Sequence, residues 1–186
     1  MTGSIMSTST IPELLASPDV VERFAEHVKE TCVRPFPPLY FAVGIVEEVA
    51  ELAYELDKEG REMELLSELG DVLWYVFALC NSLQEVNPVL PSEQEQQSRG
   101  VNNPDDRITD PAALLAAVGE LCGSLKKWSR GDKGWSEFKD RIQRQISQLL
   151  LIVSQLGHVE KAMEKNIVKI KARKEKGTLR GDGSNR

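Results

Sequence analysis

The chain has 186 residues, of which 41% are hydrophobic, 28% charged and 6% aromatic, and its net charge is -6. That length suits one sizeable domain or two very small ones, and the composition suits a soluble globular protein with an apolar core. The acidic balance excludes nucleic-acid binding by bulk charge, and no stretch is long and apolar enough to span a bilayer.

Residues 1–17 read as a flexible N-terminus, with Pro12 breaking any early helix. The segment is rich in Ser and Thr but holds no Lys or Arg before Arg23, which argues against a transit peptide. Asp19 is the expected cap of a first helix running to about Val33. The run RPFPP, Arg34–Pro38, then forces an extended turn. A second helix is expected over about Leu39–Glu59, with Ile45, Val46, Val49, Leu52, Ala53 and Leu56 as its apolar face. Glu47, Glu48, Glu51 and Glu55 form a stripe on the other side, and Gly60 closes the helix.

The third helix, about Glu62–Glu85, differs in kind. No charge appears between Asp71 and Glu85, and Val72, Leu73, Trp74, Val76, Phe77 and Leu79 are apolar nearly all round. Such a helix belongs at the centre of a bundle. One stripe is polar or small: Glu64, Glu68, Asp71, Tyr75, Ala78 and Ser82 share a face, which predicts a cavity there. Trp74 reads as core, whereas Tyr75 lies on the acids' face.

Residues 87–111 carry Pro88, Pro91, Pro104 and Pro111 around QEQQSRGVNNPDD and read as a mobile loop. Helical pattern resumes over about Ala112–Arg130, Trp135–Gln155 and Val159–Lys174, and a Gly-rich tail follows. A faint repeat links GIVEEVAELAYELDKEG and ELGDVLWYVFAL to AAVGELCGSLKKWSRG and RQISQLLLIVSQL. Glu120 falls near the place of Glu48, Gly123 stands for Glu51, and Arg144 and Ser147 replace Glu68 and Asp71. Two helical hairpins side by side would complete a four-helix core. Residues 160–186 hold nine Lys or Arg against four acids, which leaves an acidic body with a basic end.

The chemistry rests on two acidic pairs, Glu48 with Glu51 and Glu68 with Asp71. Each is spaced i, i+3, so its members lie on one helix face. The first pair alone fits a solvated face. The second sits in an apolar helix, where an ionised carboxylate is costly unless paired or metal-bound. Carboxylates converging from two helices repel unless a cation sits among them, and Mg²⁺ prefers hard oxygen ligands and bridges to phosphates. His27 and His158 stand in no nucleophilic-triad pattern. Lys126, Lys127 and Arg130 beside Trp128 read as a solvated helix end. Cys32, Cys80 and Cys122 lack metal or redox spacing and fit free thiols in a reducing, cytoplasmic compartment.

EEVAE (Glu47–Glu51) followed by ELGD (Glu68–Asp71) resembles the EExxE…ExxD signature of the MazG-like all-α nucleoside triphosphate pyrophosphohydrolases. LYFAVGIVEEVAEL and SELGDVLWYVFAL resemble the flanks of that signature. AMEKNIVKIKAR resembles the family's N-x-x-K-x-x-x-R element, and the ending KGTLRGDGSNR looks like a phage- and bacterial-type branch. The resemblance covers about residues 20–86 and 156–186. It implies an all-α, four-helix-bundle-type fold and Mg²⁺-dependent hydrolysis of a nucleoside triphosphate to monophosphate and pyrophosphate, with Mn²⁺ as an alternative ion. By motif position the metal ligands are Glu48, Glu51, Glu68 and Asp71. Glu47, rotated by about 100°, is a candidate for orienting the attacking water. Asn166, Lys169, Arg173 and Tyr75 are the candidate substrate-binding residues.

In the family the basic element follows the ELGD helix after a short turn, whereas here residues 87–157 intervene. The basic helix must therefore return to the first-half site. The chain is expected to be a tandem pseudo-dimer: a catalytic half at 18–86, the loop at 87–111, a degenerate repeat at 112–157, and a basic helix with its tail at 158–186. A homodimer or higher homo-oligomer is expected, with a nucleoside triphosphate as partner and neither nucleic acid nor membrane. The alternatives are a dUTPase-like or phosphoribosyl-ATP pyrophosphohydrolase of the same superfamily, or a non-catalytic scaffolding or regulatory bundle.

Overall fold

A computed structural model describes residues 16–32, 34–56, 58, 60–91 and 111–178. Within them the chain forms helices α1 (Pro18–Thr31), α2 (Pro38–Leu56), α3 (Glu62–Leu83), α4 (Pro111–Ser129), α5 (Trp135–Ser154) and α6 (Val159–Glu175), and no strand. The all-α reading therefore holds. Most of the N-terminal segment, most of the 87–111 loop and the last eight residues lie outside the described residues.

The apolar run after Asp71 makes α3 the axis of the molecule. Every residue from Leu69 to Cys80 is buried, and α1, α2, α5 and α6 all pack against this helix. A helix enclosed on all sides needs apolar residues on all sides, which is what this stretch supplies. Helix α2 packs against both α3 and α4, and α4 packs against α5. The two hairpins thus lie side by side, joined through α2 and α4. Helix α6 returns across the first hairpin and lies on α3 and α1. Its buried face is Val159, Ala162, Met163, Asn166 and Ile170, at helical spacing with one polar member.

Several local expectations are revised. The first helix begins at Pro18 behind an extended Ser17, so Asp19 lies in its first turn and pairs with Arg23 at 3.1 Å rather than capping it. Pro suits that first helical position because its missing N–H has no intrahelical partner to lose. Val46, expected on the apolar face of α2, is 40% exposed. Trp74 is core: its indole Nε1 donates to Thr31 Oγ1 at 3.0 Å, and Thr31 in turn donates to the His27 carbonyl at 2.6 Å. That chain of hydrogen bonds satisfies the buried indole and fastens α1 to α3. After α3, the Asn87 backbone exchanges two hydrogen bonds with the Gln143 side chain, at 3.0 and 2.8 Å, which docks the outgoing chain on α5. The three cysteines are free; Cys80 is buried, and its thiol is pushed up to about 12 by desolvation.

Candidate active site

The acids converge where α2, α3 and α6 meet. Carboxylate oxygens of Glu48, Glu68 and Asp71 all lie within 4.8 Å of one another. Glu48 is 4% exposed and Asp71 also 4%, while Glu68 is half-buried. Glu51 is exposed and stands outside this trio; it shares a neighbouring hollow of about 390 Å³ with Glu55 and Glu68. Glu47 is exposed as well and lies outside the group. At the turn between α2 and α3, Glu55 is ion-paired with Lys58 at 3.0 Å and Arg61 at 3.2 Å.

Helix α6 brings its polar residues to the same place. Asn166, 1% exposed, donates from Nδ2 to Asp71 Oδ1 at 2.6 Å. Lys169 donates to Asp71 Oδ2 and, at 3.2 Å, to Ser67 Oγ. Arg173, one turn further on, acts electrostatically on Asp71. The intervening second half does not prevent the basic helix from reaching the first-half acids within one chain. Asn166 Oδ1 is buried with no hydrogen-bond partner among the described residues. An unsatisfied buried acceptor is costly, and it stands beside the carboxylates.

Close helix approach makes this possible. A Cβ at Gly70 would lie 2.6 Å from the Ala162 carbonyl oxygen and 3.0 Å from Asn166 Cβ. Gly70 therefore sets the α3–α6 spacing that puts Asn166 and Lys169 on Asp71. Gly44 plays the same part on α2, where a Cβ would lie 2.2 Å from the Tyr75 ring. Tyr75 is buried, lies against Gly44 and meets Trp74 edge-on at 5.1 Å. Reading the sequence for charge passed over both glycines and Ser67. The available signal was a glycine inside a helix, which costs about 1 kcal/mol against alanine and so calls for a packing reason.

Burial and mutual repulsion favour the protonated form of the trio. Burial, followed by the charges of Asp71, Glu51 and Glu68, pushes Glu48 up to about 9. Burial and the neighbouring Asp71 push Glu68 up to about 7. Burial also raises Asp71, against the opposing pull of Lys169, Arg173 and Asn166. Lys169 and Arg173 are two cations beside three clustered carboxylates. An all-oxygen, acidic donor set of this kind suits a hard divalent cation, whose binding requires the deprotonated form.

About 10 Å further along α3, a second cavity of about 430 Å³ opens between the ends of α1, α2 and α3. Phe36, Phe41, Ala78, Asn81 and Ser82 line it, and Phe36 stacks on Tyr40 at 4.0 Å. The polar and small stripe of α3 thus leads from the acids to this aromatic hollow.

Residues 37–90, which span α2 and α3 with all the clustered acids, match the family model of the MazG nucleotide pyrophosphohydrolase domain. This stretch is MazG-like. Neither a search of curated proteins nor a search of solved structures returned a match. Helix α6 and the second hairpin lie outside the MazG match. The contribution of Asn166, Lys169 and Arg173 accordingly rests on geometry and not on the match. MazG-family enzymes generally depend on a divalent metal, and the buried acidic cluster agrees with that chemistry.

Proposed function

We infer that the protein hydrolyses a nucleoside triphosphate to the monophosphate and pyrophosphate with Mg²⁺, acting on the cytoplasmic nucleotide pool. The observation that carries this reading is the convergence of Glu48, Glu68 and Asp71 inside a MazG-like pair of helices. In this reading those three carboxylates hold the metal, and Glu51 adds a ligand from the rim. A bound Mg²⁺ would neutralise phosphate oxygens and lower the pKa of an attacking water.

The chain's own residues do the rest. Asn166 fixes one oxygen of Asp71 and so orients the carboxylate. Lys169, which holds Asp71 and Ser67, would lie beside the phosphate chain of a substrate bound at the cluster, and Arg173, one turn on, could bind phosphate bidentately. Tyr75, buried against Gly44 and Trp74, stands on α3 between Asp71 and the aromatic hollow, and that hollow takes the base. Asn81 and Ser82 offer hydrogen bonds to a base edge at its mouth. A triphosphate and sugar span a distance of this order.

The test is a panel of nucleoside triphosphates with Mg²⁺, scored separately for pyrophosphate and for orthophosphate. Pyrophosphate and monophosphate in equal amounts are expected from at least one nucleotide. Orthophosphate as the first product would rule out cleavage between the α- and β-phosphates. No turnover of any member would favour the non-catalytic bundle.

A further inference from the structure

The second hairpin carries a cavity of about 530 Å³ between α4 and α5, at the place that corresponds to the acidic hollow of the first. The faint repeat in the sequence would set the two hollows at matching positions. The Glu51, Glu55 and Glu68 that line the first correspond to Gly123, Lys127 and Arg144, which line the second. At two of these three positions a carboxylate has become a cation. Arg141 adds a third positive charge to the lining, against the single acid Glu120. None of Lys127, Arg141 and Arg144 forms a salt bridge among the described residues. Deeper in, Ser124 is 4% exposed, and Gln145 Oε1 is buried without a hydrogen-bond partner among the described residues.

A solvated basic surface needs no cavity and leaves no buried polar atom unpaired. This site has both, and its size is in the usual range for small-molecule pockets. Two arginines and a lysine around a concave polar surface match the oxygens of linked phosphates, since guanidinium groups bind them in pairs. We propose that the α4–α5 cavity is a metal-independent binding site for a phosphate chain, either pyrophosphate or the polyphosphate tail of a nucleotide. Where the first hairpin engages phosphates through a cation held by acids, the second engages them directly with its own cations.

Calorimetric titration of the full chain in EDTA tests this, with pyrophosphate, orthophosphate and ATP as separate probes. Binding of pyrophosphate or ATP is expected without metal. It should weaken about 10- to 100-fold in Arg144→Gln and in Lys127→Gln, from the loss of one charged hydrogen-bond donor each. Both residues are exposed, so these variants should keep the parent's circular dichroism. Lys169→Gln, which alters the acidic site, should leave this binding unchanged. Tighter binding of ATP than pyrophosphate identifies the nucleotide as ligand, and equal binding identifies the phosphate chain alone. The proposal is overturned if no probe binds in EDTA. It is equally overturned if Lys169→Gln removes the binding while Arg144→Gln and Lys127→Gln retain it, because the anion then sits on α6. Failure of the nucleotide panel leaves this test intact, since the two use different residues and opposite metal conditions.

Discussion

Replacing Glu48 by Gln is expected to abolish turnover and, at the same time, to stabilise the metal-free fold. If the cluster positions a Mg²⁺ ion as proposed, loss of one ligand removes several kcal/mol of transition-state stabilisation, so kcat should fall about 10³-fold. Stability moves the other way. The unfolded chain ionises Glu48 near the ordinary carboxylate value, whereas the folded chain holds its proton up to about 9. Between those limits the folded state binds more protons, so the metal-free parent loses stability as pH rises. Glu68 adds to the same trend up to about 7. A glutamine in place of Glu48 carries no charge and removes the larger part of this loss. At pH 8.5 in EDTA the variant should gain about 2 kcal/mol over the parent, read as about 4–8 °C in Tm. At pH 5 the two should melt together. A variant less stable than the parent at pH 8.5 would mean that Glu48 is ionised and paired in the fold.

The second large effect concerns a residue with no charge. Gly70→Ala is expected to reduce kcat/KM about 10²-fold without touching any carboxylate. The added methyl would sit 2.6 Å from the Ala162 carbonyl oxygen, which is backbone and cannot rotate aside. Helices α3 and α6 must separate, and Asn166 and Lys169 move with α6. A displacement of this size at a positioning residue costs about 10²-fold in rate. Overpacking costs about 1–3 kcal/mol of stability, partly offset by the better helix propensity of alanine. Gly119→Ala is the control, since nothing lies within 4 Å of the Cβ it would add. That variant should gain up to about 1 kcal/mol and keep full activity. Equal activity in Gly70→Ala and the parent would show that the α3–α6 spacing does not matter to the chemistry.

Much of this site could be read from residue order alone. Glu68 and Asp71 stand out because nothing else in α3 is charged from Asp71 to Glu85. The return of α6 was expected only from the family resemblance; its buried face, Val159, Ala162, Met163, Asn166 and Ile170, has plain helical spacing, but connectivity across the second hairpin concealed where that face would land. The split between Glu48 and Glu51 was not legible. Both lie at i, i+3 on α2, but α2 has two neighbours, α3 and α4, and their joint footprint buries the first and leaves the second at the rim. Val46 shows the converse, an apolar residue that the same footprint leaves exposed. Gly70 was hidden because a glycine records no chemistry, only the nearness of a neighbour not yet known. The helix start at Pro18 was hidden because an acid at the next position looks like a better cap than a serine before proline.

The second hairpin gives the acidic cluster its contrast. The hollow in the first hairpin is lined by Glu51, Glu55 and Glu68, and the hollow in the second by Gly123, Lys127, Arg141 and Arg144, positions that the proposed repeat would match in part. A cation-binding hollow and an anion-binding hollow on one frame have opposite requirements, so their ligands can be titrated separately.

Titration of Mn²⁺ followed by electron paramagnetic resonance tests the central claim most directly, because it reads the ion and not the product. The parent should take up Mn²⁺ at pH 8, with weaker uptake at pH 6, where protons compete for Glu48 and Glu68. Glu48→Gln and Asp71→Asn, each folded by circular dichroism, should lose that uptake. Mn²⁺ bound equally by the parent and both variants would contradict the assignment of the ion to the Glu48, Glu68 and Asp71 cluster.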